Sequence, residues 1–159
     1  MLNSLLPGYN IYLGSTLDRA LLVKYMQRSY QDSFPQQDFS HLAGTVEQYF
    51  SKDTPLWWVQ EEEGTSYPPI ACLWVGNAID QVGGIRHPHI FLLYVVPEHR
   101  RRGIGTALMR YVENWATQRG DRQIGLQVFQ SNQTALHLYH QLGYQTQSLW
   151  MVKSLQKET

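Results

Sequence analysis

The residues best suited to chemistry in this 159-residue chain lie between Leu92 and Leu108. Arg100, Arg101 and Arg102 stand in a row, and Gly103-Ile104-Gly105-Thr106 follows directly. Guanidinium groups pair well with phosphate oxygens, and a glycine without Cβ lets a ligand approach the bare backbone. If a helix opens at this point, its first N–H groups have no intrahelical partner and carry the positive end of the peptide dipoles. Together these features describe a site for a phosphate or pyrophosphate. A dinucleotide-binding fingerprint would need Gly or Ala where Leu108 stands, and a Walker loop would need Gly-Lys-Ser/Thr. Neither pattern is present.

Such a turn has to be positioned by the elements on either side. Ile90 to Val96 is a continuous apolar run, which suits a strand buried on both faces. Pro97 ends it, having no N–H for a ladder. Behind the glycines, Ile104, Leu108, Tyr111, Val112 and Trp115 recur at helical spacing and form one apolar stripe. The order is therefore strand, basic glycine-bearing turn, amphipathic helix.

This stretch resembles the acetyl-CoA-binding motif of the GNAT superfamily of N-acetyltransferases, Arg/Gln-x-x-Gly-x-Gly/Ala after a Val-x-Pro strand end. Here it stands as Val95-Val96-Pro97 and Arg100-Arg101-Arg102-Gly103-Ile104-Gly105. A second match lies further on: the family often carries Asn, then Tyr seven residues later, then Leu-Gly-Phe/Tyr. These are Asn132, Tyr139 and Leu142-Gly143-Tyr144. The resemblance implies a GNAT-like α/β fold over residues 1–159, a single domain whose mixed sheet has helices on both faces and splayed central strands.

It also implies roles. Backbone amides from Arg101 to Thr106, next to Arg100, would hold the pyrophosphate of acetyl-CoA as co-substrate. The strand end at Tyr94, Val95 and Val96 would offer backbone to pantetheine and an amide to the thioester oxygen. Tyr139 would be the general acid for the leaving thiolate; read from spacing alone, it packs on its helix's core face. Asn132 would bond the pantetheine arm, or serve as a plain helix cap. Some members of the family place a glutamate base on the central strand. Counting back eleven residues from Arg100 gives His89, a departure from that pattern that leaves His89 or water to act. The implied reaction is direct attack by a primary amine, of a small molecule or a protein, in a ternary complex. The alternatives are a CoA-binding regulatory module without activity and a phosphate- or nucleotide-binding domain that carries the motif by coincidence. The acceptor is not readable, nor is acetyl against a longer acyl donor.

The rest of the chain sets bounds. Thirteen basic residues balance thirteen acidic ones, which argues against a nucleic-acid-binding surface. A lone cysteine, Cys72, excludes an internal disulfide and reads as a small apolar filler in a reducing, cytoplasmic setting. No run approaches the ~18 apolar residues of a membrane span. His87 and His89 share a strand face without an evident third ligand, so no metal is expected; His137 and His140 read as solvated. A monomer or homodimer is expected.

In order, Tyr9–Leu13 reads as a strand. A helix from Leu17 to about Ser29 follows, capped by Ser15 or Thr16 and facing inward with Leu17, Ala20, Leu21 and Tyr25. Asp32 and Asp38, with Tyr30, Phe34 and Phe39, lie in a loop suited to attract and wall in a cationic amine, or simply to be solvated. A short helix from about His41 to Phe50 is next, then strands at Leu56–Gln60, where Trp57 and Trp58 face opposite ways, and at Ile70–Val75. After the central strand and the long helix come a strand at Ile124–Val128, a helix from Asn132 to Gly143, and a terminal strand or hairpin over Tyr144–Leu155. Connections near Gly64 and Gly83 would help choose the acceptor.

Overall fold

The structure, a computed structural model, describes residues 2–63 and 67–156; Gly64 and the last three residues lie outside it. Six strands form one sheet in chain order: β1 (Asn3–Leu6), β2 (Tyr9–Leu13), β3 (Leu56–Glu61), β4 (Ala71–Ile79), β5 (Arg86–Val95) and β6 (Gly125–Leu126). Neighbours are antiparallel except β5 and β6, which run parallel. The helices are α1 (Arg19–Ser33), α2 (Leu42–Tyr49), α3 (Ile104–Gln118) and α4 (Gln133–Gln141).

The sheet is covered on both faces because its central strands are apolar on both. Trp58, Cys72, Trp74, Leu92 and Tyr94 face α1 and α2, where Leu22, Tyr25, Met26, Leu42 and Val46 close over them. Trp57, Val59, Leu73, Val75 and Ile90 face α3, meeting Ile104, Leu108, Met109 and Val112. The paired tryptophans thus serve opposite layers. Trp57 packs edge-on against Tyr111 and Trp115, and Trp58 against Tyr25. Burying an aromatic side chain of this size is worth several kcal/mol, so either Trp→Ala change would open a large cavity.

The helix after β2 begins differently from its sequence expectation. Ser15 caps a 3-10 turn at Thr16–Asp18, accepting from Leu17 N, while Asp18 returns the bond to Ser15 N (2.9 Å) and also accepts from Trp58 Nε1 (3.0 Å). Only then does α1 start. The turn rotates Leu17 outward, where it is 92% exposed, and the buried stripe is Leu22, Tyr25 and Met26. Periodicity counted from Leu17 placed the face one step off.

Two further expectations are corrected. The strand after α3 holds regular pairing over Gly125–Leu126 only. The terminal strand or hairpin over Tyr144–Leu155 forms no paired element among the described residues: Tyr144 N bonds Tyr139 O (2.9 Å), and the described residues beyond it are exposed. No helix among the described residues is long and apolar enough to cross a membrane.

Candidate active site

β5 and β6 are in register only at His89↔Gly125 and Ile90↔Leu126, yet β5 continues to Val95. Beyond Ile90 the two strands part. One edge of β5 therefore faces an opening. Val96 N–H donates to Ile70 O on the β4 side (2.9 Å). Peptide groups alternate along a strand, so Tyr94 also turns toward β4, while Leu93 and Val95 turn theirs toward the opening. The sequence expectation centred on Tyr94 to Val96; the structure presents Val95 and Leu93 as the backbone on that side. The Tyr94 side chain is buried beneath the other layer, beside Tyr25.

At the end of β5 a 3-10 turn, Pro97–His99, leads into the basic segment. Two residues there adopt left-handed conformations, Arg101 (φ 63) and Gly103 (φ 84). Such backbone is natural for glycine and uncommon for arginine, and it turns successive amides to one side. The first amide of this region to find a backbone acceptor is Ala107, bonded to Gly103 O (3.0 Å). Those of Arg101, Arg102, Gly103, Ile104, Gly105 and Thr106 have no backbone partner among the described residues, and they gather at the positive end of a 15-residue helix. A Cβ built on Gly105 would meet only Leu138 Cδ2, at 3.6 Å, an ordinary contact. Folding does not require glycine there, so the space above it is available to a ligand.

The three arginines are not equivalent. Arg100 turns back: its Nε donates to Val95 O (2.8 Å), its Nη2 to Asp32 Oδ2 (2.7 Å), and its guanidinium lies over the Tyr94 ring. Arg102 Nη1 donates to the Tyr9 hydroxyl (2.9 Å), which contacts His99 Nδ1 (2.8 Å), while His99 Nε2 meets Glu61 Oε1 at 3.2 Å. His99 thus meets the Tyr9 hydroxyl through Nδ1 and the Glu61 carboxylate through Nε2, with Arg102 Nη1 a further 3.4 Å from Nδ1. This chain ties the turn to β2 and β3, and sequence reasoning missed it, since Tyr9 and His99 are 90 residues apart.

Beside the turn, Arg28, Gln31, Asp32, Pro35, Tyr94, Val96, Pro97 and Glu98 line a cavity of about 590 Å³. Asp32 thus lies in a pocket wall, paired to Arg100, whereas Asp38 is engaged by Ser40 N and Oγ. Phe129, from the loop after β6, packs on Tyr30 and Phe34 of the α1 end and its cap, with Phe39 behind Tyr30. Nothing in the spacing of Phe129 marked it for this contact.

His89 is half-buried on the last rungs before the opening, and a Cβ on Gly125 would lie 3.7 Å from its Nδ1 and 3.1 Å from His87 Cε1. Burial first, and then the neighbouring His87, lower its pKa below the ordinary 6.5. It is accordingly a neutral imidazole near pH 7, with a lone pair to offer. Asn132 caps α4, its Oδ1 accepting from Ala135 N (3.2 Å); its side-chain N–H groups take no part in that bond. Tyr139 packs against the α3-side core beside Tyr144, and burial pushes its pKa up to about 12. Tyr144 is raised as well, by burial and by donating to Glu113 Oε2 (2.8 Å). Cys72 is fully buried, which raises its thiol pKa and keeps it from acting as a nucleophile.

Tyr139 has a consequence for stability. In the unfolded chain a phenol ionises near 10, and here only near 12. As pH rises through that interval the unfolded state loses its proton first, so stability falls, by about 2 kcal/mol for this group. The urea midpoint is expected to drop between about pH 10 and about pH 12; an unchanged midpoint would contradict the burial.

Residues 22–144 match the model of the acetyltransferase (GNAT) family. The chain belongs to that family. Among curated relatives of this GNAT chain, N-acetyltransferase family 8 member 3 of Rattus norvegicus is 31% identical over 79% of this chain and 52% of its own length. Streptothricin acetyltransferase of Streptomyces lavendulae is 40% identical over 31% of this chain and 26% of its own. The chain thus spans about half or less of the length of the curated relatives it matches. A solved structure of a predicted acetyltransferase with acetyl-CoA from Clostridium acetobutylicum superposes with a TM-score of 0.72 at 19% identity, over 92% of this chain and 96% of that one. At that identity the likeness speaks for the GNAT fold alone.

Proposed function

We propose that this GNAT protein transfers an acetyl group from acetyl-CoA to a primary amine by direct attack. The observation that carries the reading is the row of amides from Arg101 to Thr106, without a backbone partner among the described residues, at a helix N-terminus beside a strand that has parted from its neighbour. The amides and Arg101 suit the pyrophosphate. The edge of β5 at Leu93 and Val95 suits an extended arm such as pantetheine, pairing it as a missing strand would be paired, and the side-chain N–H groups of Asn132 would bond that arm. When bound, acetyl-CoA supplies an activated thioester carbonyl.

The protein's residues then divide the work. An amide of Leu93 or Val95 donates to the developing oxyanion, a contribution of ~3 kcal/mol in comparable acyl-transfer sites. His89, neutral near pH 7, takes a proton from the attacking ammonium or amine, directly or through water. As the C–N bond forms and the C–S bond breaks, Tyr139 hands its phenolic proton to the departing thiolate. Products are an amide and the CoA thiol. The cavity by Tyr94 carries both signs, Arg28 beside Asp32 and Glu98 with Asp32 already paired to Arg100, so its wall states no preference for the acceptor's charge. The lone, buried Cys72 accords with a reducing, cytoplasmic setting.

The test is thiol release from acetyl-CoA across a panel of amines, with kcat followed against pH at saturating amine. Below His89's lowered pKa the imidazole is protonated and useless as a base, so kcat is expected to fall on the acid side, under about pH 6.5. His89→Ala should lower kcat by roughly 100-fold and remove that limb. A limb that persists unchanged in His89→Ala would reassign the base. No thiol release with any amine, despite tight CoA binding, would favour a regulatory CoA-binding module.

A further inference from the structure

One side of His89 is walled by aromatic rings, with Phe91 the first of them. Pairing between β4 and β5 slips between Trp74 and Val75: Trp74 faces Leu92, Val75 faces Ile90, and Phe91 is left without an opposite residue. The slip interrupts the alternation of β5. Ile90 packs in the α3 layer, while Phe91 and Leu92 both pack in the layer of α1 and α2. The Phe91 ring fills a slot that a glycine leaves open. A Cβ built on Gly76 would come within 2.0 Å of Phe91 Cε2, so a side chain at 76 would evict the ring.

From that slot Phe91 meets Trp74 at 4.7 Å between ring centroids, Tyr49 at 5.8 Å and His89 edge-on at 5.7 Å. Tyr49, the last residue of α2, is 48% exposed, and Phe91 is partly so. The two therefore present an apolar shelf beside the imidazole. Trp74 is fully buried behind it, and its Nε1 has no hydrogen-bond partner among the described residues, so no polar group reaches in from below. Arginines lie over Tyr25, Tyr94 and Trp115, but among the described residues no cation lies over Tyr49, Phe91 or Trp74.

The shelf stands where an acceptor has to pass. Along β5, Phe91 lies between His89 and the amides of Leu93 and Val95, and in the acetyl-transfer reading the attacking nitrogen serves both. The group bonded to that nitrogen then meets these rings. An apolar group gains by displacing water from them, whereas a second charge loses its hydration there without finding a partner. We infer that the acceptor is a primary arylalkylamine, its amine carried on a short arm that ends in an aromatic ring, and that Phe91 and Tyr49 select it. The inference rests on the acetyl-transfer reading and adds the class of acceptor to it.

Thiol release from acetyl-CoA, measured with phenethylamine, ethylamine and diaminobutane, tests it. These primary amines differ in what the arm carries. The expected result is a kcat/KM for phenethylamine about 10-fold or more above the other two, the scale on which an apolar pocket separates substrates. Phe91→Ala and Tyr49→Ser should each lower that preference by roughly 3- to 10-fold, the scale of a lost aromatic pair. The loss should fall on KM and not on kcat, since the contact is the same in ground and transition states. Tyr49 lies half-exposed at a helix end, so Tyr49→Ser leaves no core cavity and stays folded even if Phe91→Ala does not. Equal efficiency for all of these amines, a preference for the diamine, or a phenethylamine preference that survives in the folded variants overturns the inference and leaves acetyl transfer standing. Thiol release with no primary amine overturns the acetyl-transfer reading, and this inference with it.

Discussion

Replacing Gly105 by valine is expected to reduce acetyl-CoA and CoA affinity by roughly 100-fold or more, the scale of losing one or two charge-assisted hydrogen bonds, while the chain still folds. The two glycines of the turn separate conformation from approach. Gly103 has φ +84, so any side chain there strains the backbone by about 1 kcal/mol before a ligand is considered. Gly105 lies in the first turn of α3 with ordinary helical backbone, and its missing Cβ would touch only Leu138 at contact distance. A branched side chain at 105 therefore fills the space over the amides of the turn and little else. Calorimetric titration with CoA measures the affinity, and circular dichroism with a thermal scan establishes that the variant is folded. Undiminished affinity in a folded Gly105→Val protein would place the phosphate elsewhere.

The second large effect concerns the leaving group. Tyr139→Phe is expected to lower kcat by roughly 100-fold or more with CoA affinity nearly unchanged, because only the proton donated to the thiolate is removed and the ring that packs against the α3-side core remains. With its pKa pushed up to about 12, the phenol stays protonated over the whole working range. Loss of activity on the alkaline side should therefore not appear below about pH 10 in the wild-type protein. A Tyr139→Phe protein of wild-type kcat would leave this residue a core aromatic, with the thiolate protonated from water.

Much of this was legible from the chain. The apolar run into Pro97, the glycine spacing and the stripe from Ile104 to Trp115 are local signals, and local signals survive folding. Trp57 and Trp58 followed from the two-residue period of a strand. What failed or was missed depended on contacts distant in sequence. Leu17 belongs to a helical period, but the Asp18 carboxylate, engaged by Ser15 and Trp58, fixes a tighter turn that swings it outward. The link from Arg102 through Tyr9 and His99 to Glu61 joins three separate strands and turns, and no spacing rule connects them. Arg100 reads as a phosphate ligand by position, yet it bonds Asp32 and the Val95 carbonyl. The segment after Tyr144 has the composition of a strand but forms no paired element among the described residues.

The most direct test of the cofactor assignment is thermal unfolding of the protein alone and with acetyl-CoA, CoA, ATP or NAD at equal concentration. A ligand at about 100 times its Kd adds about 2.7 kcal/mol to the folded state, a shift of several degrees for a domain of this size. A rise in midpoint with acetyl-CoA and CoA, and none with ATP or NAD, is the predicted result. A rise with ATP or NAD alone, or with no ligand at all, would contradict the assignment of the Arg101–Thr106 amides to the pyrophosphate of CoA.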